Sequence, residues 1–90
     1  MSIEEDFTKA LEKGKIETAI TMLDQSIKQN HKNDELYYLR GNAYFKAGNL
    51  QEAIQNYMEA IAINSESPAS EALKMANDIL GFYNKDLYGQ

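Results

Sequence analysis

Apolar residues recur along the chain at steps of three and four, the spacing that places them on one face of an α-helix. The first run begins after Ser2, which with Glu5 forms a capping-box pattern and predicts a helix from Ile3. Ile3, Phe7, Ala10 and Leu11 share its apolar face, and Gly14 stands where a helix stop is expected. A second stripe, Ile16, Ala19, Ile20, Leu23, Ser26 and Ile27, ends in the polar cluster of residues 29–33. A third helix is expected from about Asp34 to Ala47, closed by Gly48. A fourth should follow Asn49, which pairs with Glu52 in a second N-x-x-E signal, and it carries Leu50, Ala53, Ile54, Tyr57, Ala60 and Ile61.

Ser67 and Pro68 open a fifth helix, with serine as N-cap and proline at the first helical position, where its missing N–H costs nothing. Ala69, Ala72, Leu73, Ala76, Ile79, Leu80 and Tyr83 line one side, and Met75 and Phe82 widen that arc. Residues 84–90 are short and polar and are expected to fray. No useful period-two alternation occurs. The expected fold is therefore all-α, five antiparallel helices joined by short connections.

The pattern repeats. Gly14 and Gly48 lie 34 residues apart, as do Ile16 and Leu50, Ala19 and Ala53, Ile20 and Ile54, and Leu23 and Tyr57. A helix–turn–helix period of 34 residues marks the tetratricopeptide repeat. Gly41 and Tyr44 match its G-x₂-Y step, and Ala53 and Tyr57 fill the A-x₃-F slots. Tyr37 stands in place of Trp, Arg40 of Leu, and Ser65 of the closing Pro. The chain thus resembles a tetratricopeptide-repeat (TPR) protein. One domain over residues 1–83 is expected: a degraded first repeat over about 1–33, a strong second over 34–67, and a closing helix over 68–83.

Two antiparallel helices approach closely only where small residues meet, and Gly41 and Ala53 are candidates for that crossing. Tyr37, Tyr44, Tyr57 and Ile61 are expected to fill the space beside them, and overpacking it with Ala53→Leu should cost about 1–3 kcal/mol.

The resemblance also implies a ligand face, because the first helix of each repeat in this family lines the concave side. By repeat position that face holds Tyr38, Asn42, Phe45 and Lys46 in the second repeat, and Glu4, Thr8, Leu11 and Glu12 in the first. Tyr38 and Phe45 are large aromatics off the main core stripe, to be covered by the fifth helix, by the first repeat or by a bound partner. Some relatives clamp the C-terminal carboxylate of heat-shock chaperones with Lys and Asn side chains. Here Asn42 matches, but Tyr38 replaces the expected Lys and Glu4 and Thr8 replace Lys and Asn, so no such clamp is expected.

Composition narrows the functions further. The net charge of −5 disfavours nucleic acid and anionic membrane surfaces, which are bound largely through Lys and Arg. No apolar run approaches the roughly 20 residues of a membrane span, and the acidic N-terminus lacks the features of a signal peptide. A soluble cytoplasmic domain is the expectation. Without cysteine there is neither a disulfide framework nor a thiolate metal site. The single histidine, His31, lies in a polar turn. No phosphate loop, metal-ligand cluster or nucleophile–base pair appears, so no catalytic role, metal or cofactor is expected. Arg40 is expected to lay its stem along the repeat interface and send its head to solvent or an acidic partner.

Two functions remain. One is a protein-interaction module holding a peptide or helix of a partner on the face of Tyr38, Asn42, Phe45 and Lys46. The other is self-association, a homodimer completing a short solenoid through the apolar fifth helix and Phe82, Tyr83, Leu87 and Tyr88. Three repeats are usually needed for a stable array, and this chain has two.

Overall fold

A computed structural model describes the backbone of residues 2–88 and the side chains of residues 2–83. It contains α1 (Ile3–Glu12), α2 (Ile16–Gln29), α3 (Asp34–Lys46), α4 (Leu50–Ile63) and α5 (Ala69–Tyr88). Each helix packs against its chain neighbour, and α1 also reaches α3. The body measures 50 × 30 × 18 Å, so its thickness is that of two helix layers.

Local chemistry sets the boundaries. Ser2 Oγ accepts from the Glu5 N–H at 3.1 Å, and Asn49 Oδ1 accepts from the Glu52 N–H at 3.2 Å. Ser67 Oγ accepts from the Ala69 N–H at 3.0 Å, which makes Ser67 the cap and Pro68 the first position of α5. Gly14 and Gly48 have φ of +75° and +84°, and each closes a Schellman motif. The Lys15 and Asn49 N–H groups return to the Ala10 and Tyr44 carbonyls at 2.8 and 2.9 Å. The same turn thus recurs one repeat apart.

Two clusters form the core. The first joins Phe7, Ala10, Ala19, Leu23 and Ile27 to Leu36, Leu39 and Ala43 of α3. The second holds Ala53, Tyr57, Ala60, Ala69 and Ala76, with Tyr37, Tyr44, Ile61 and Leu73 packed around them. Leu36, Leu39 and Ala43 do not belong to the stripe expected for α3. This helix packs against α1, α2 and α4, so it is apolar on several sides and its periodicity selects none of them.

At the α3–α4 crossing the Tyr57 ring lies against Gly41 and occupies the space a side chain there would need. Two further expectations need correction. Arg40 turns inward: its Nε donates to Asn56 Oδ1 at 2.7 Å, its NH1 pairs with Asp24 Oδ1 at 2.7 Å, and its guanidinium lies 5.6 Å from the Tyr37 ring centre. It ties α2, α3 and α4 together, because only a long planar donor fork can reach both oxygens at once. Finally, α5 stays helical through Tyr88, five residues past the expected end; Gly89 and Gln90 lie outside the described residues.

Candidate partner-binding groove

A depression of about 630 Å³ runs between α3 and α5. Tyr38, Asn42, Phe45 and Lys46 form its α3 wall, Ala72 and Met75 its α5 wall, and Tyr57 of α4 its floor. The four α3 positions meet because i, i+4, i+7 and i+8 fall on one side of a helix. α5 stands opposite because Ala69 and Ala76, both fully buried, let it settle closely on α4.

Tyr57 organises the floor. Its ring is buried, 6.1 Å from that of Tyr38, and its O–H donates to Asn42 Oδ1 at 2.7 Å. Burial, with a smaller contribution from Tyr38, pushes its pKa up to about 12, so the hydroxyl stays a donor at neutral pH. With the Asn42 carbonyl engaged, its amide N–H groups remain as donors for a bound chain. Tyr38 and Phe45 are half-buried and Met75 is 55% exposed. The two core clusters cover one side of these aromatics, and the other side opens onto the groove. Lys46 is the one charged residue of the lining, although acidic residues outnumber basic ones in the chain.

The first-repeat positions do not join this groove. Thr8 borders a separate shallow depression with Glu4, Glu5 and Lys9. Leu11 is half-buried against the first core cluster, since a degraded first helix needs that side chain for packing. Sequence reasoning missed Ala72 and Met75 as lining residues: their wall exists only because α5 runs beside α3, which no local pattern encodes. His31 is exposed in its turn, and its backbone carbonyl accepts from the Tyr37 O–H at 3.0 Å.

Among the described residues no group of three or more His, Cys, Asp or Glu side chains could hold a metal ion. No described helix is long and apolar enough to cross a membrane.

The chain is similar to known proteins along most of its length. Residues 35–67, which are α3 and α4, match the tetratricopeptide repeat, and residues 10–48 match a TPR repeat that straddles the repeat boundary. The solution NMR structure of the Bacteroides fragilis protein BF1650 is 44% identical, covers 100% of this chain and 92% of its own, and superimposes with a TM-score of 0.87. The chain matches none of the curated proteins. With repeat matches tiling residues 10–67 and five helices in the repeating arrangement, the chain belongs to the tetratricopeptide-repeat family, whose repeats generally serve as protein-interaction or scaffold modules.

Proposed function

We propose that this protein is a non-catalytic interaction module whose α3–α5 groove seats a short segment of a partner protein. One observation carries the reading: the four α3 positions that face a ligand by repeat register all open onto one groove, with α5 as its second wall. The lining specifies the chemistry of the segment. Tyr38, Phe45 and Met75 suit a large apolar side chain, with Met adapting its shape to the guest. The free amide N–H groups of Asn42 suit a peptide carbonyl, and Lys46 suits a carboxylate. A segment with one bulky apolar residue and a nearby Asp or Glu fits all three.

Selection of binders from a random peptide library, followed by calorimetry on the variants, tests this. Selected peptides should share an apolar residue near an acidic one. Phe45→Ala should weaken them by about 1–3 kcal/mol, and Lys46→Glu should weaken acidic peptides more than neutralised ones. Peptides that bind both variants as tightly as the parent would sink the proposal.

A further inference from the structure

α5 carries two apolar seams. One, with Ala69, Leu73 and Ala76, is packed into the second core cluster beside α4. The other, Ala72, Met75, Ile79 and Phe82, advances by steps of three, four and three, the a/d spacing of paired helices. Its first two members line the groove, while Phe82 is 70% exposed. α5 is 20 residues long against 14 for α4, so it overhangs by roughly 9 Å at its C-terminal end. The overhang begins at Tyr83, which is 67% exposed and lies edge to face with Phe82 at 5.6 Å between ring centres.

The second seam therefore holds a knob and a hole on one helix. The knob is Phe82. The hole is the mouth of the groove at Phe45 and Met75, about 10 Å back along the axis, seven residues at 1.5 Å each. A two-fold axis midway between Met75 and Phe82, with the helices antiparallel, brings each knob to the other chain's hole. Self-complementarity of this kind is what an isologous interface requires. An unrelated partner would need only the hole, and nothing about such a partner would place an exposed aromatic one heptad from it.

We infer that two copies of this chain pair through the outer seams of α5, each placing Phe82 at the groove mouth of the other. The pairing is weak. The seam is short, and Asp78 borders it near the axis, where it faces its own symmetry mate. Self-pairing occupies part of the same groove, so a partner segment competes with it; this part alone rests on the function proposed above.

Sedimentation equilibrium on the full chain, from low micromolar to millimolar concentration, tests the pairing. The average mass should rise toward two chains. Phe82→Glu should weaken association by more than about tenfold with the helical circular dichroism unchanged, as its exposure allows. Asp78→Asn should strengthen it. In a mixed isotope-labelled and unlabelled sample, intermolecular NOEs should join the Phe82 ring to the Met75 methyl and the Phe45 ring. A monomer at every concentration, or a dimer indifferent to Phe82→Glu, overturns the inference. Peptide binding measured on the Phe82→Glu monomer keeps the two proposals apart, because Tyr38, Phe45 and Lys46 are intact there. Retained binding with lost pairing upholds both, and lost binding with pairing verified in the parent removes only the partner reading.

Discussion

A Cβ placed on Gly41 would lie 2.5 Å from Cε1 and 2.7 Å from Cδ1 of Tyr57. The glycine is required by packing, since its backbone is ordinary helix. Gly41→Ala should gain up to about 1 kcal/mol of helix propensity and lose about 1–3 kcal/mol to the ring. Urea denaturation should show a net loss of about 1 kcal/mol. In a Tyr57→Leu background, where the ring is gone, the same change should become neutral or stabilising.

Tyr57 also sets an alkaline limit. Its pKa is pushed up to about 12 by burial, from 10.0 in the unfolded chain. Between those values the folded state holds a proton that the unfolded state has released. Stability from this group is therefore complete below pH 10 and falls as pH rises toward 12, by at most about 2–3 kcal/mol. Thermal melts at stepped alkaline pH should show the decline, and Tyr57→Phe should remove this group's share of it. Absorbance titration of the folded protein should show a tyrosine ionising near pH 12 that Tyr57→Phe removes.

The second helices of the two hairpins start differently. Lys15 and Asn49 hold nearly the same backbone, φ −94° and ψ 67° against φ −95° and ψ 83°, but only Asn49 caps its helix with a side chain. Lys15→Asn should supply the missing cap to α2 and stabilise the chain by about 0.5–1 kcal/mol. Chemical denaturation with an unchanged m-value checks it.

Arg40 fastens three helices unequally. Arg40→Met leaves Asn56 Oδ1 buried without its donor and should cost about 1–3 kcal/mol. Asp24→Ala should cost less than about 1 kcal/mol, because the carboxylate is 46% exposed and its pairing is screened by water. The ordering of the two variants in denaturation midpoint is the readout, and a larger loss for Asp24→Ala would refute this division of roles.

Much of this was legible in the chain itself, because glycines, caps and stripes are local signals. Gly14, Gly48, Ser2, Asn49 and Ser67 each do what their spacing implied. Contacts between distant segments were not legible. Leu36, Leu39 and Ala43 face the first core because α3 sits between neighbours, and Arg40 finds two acceptors 16 residues away in each direction. In the groove, the α3 wall followed from the repeat register that the family resemblance implied, whereas Ala72 and Met75 depend on how far α5 leans toward α3. Leu11, which repeat register put on the ligand face, packs half-buried against the first core cluster and does not line the groove.

The most direct measurement is an amide chemical-shift titration of the labelled chain with a selected acidic–apolar peptide. Shifts should concentrate on Tyr38, Asn42, Phe45, Lys46, Ala72 and Met75, and leave Thr8 and the α1–α2 hairpin unmoved. Shifts centred on α1 and α2, or spread evenly with no focus between α3 and α5, would contradict the groove as the seat of the partner.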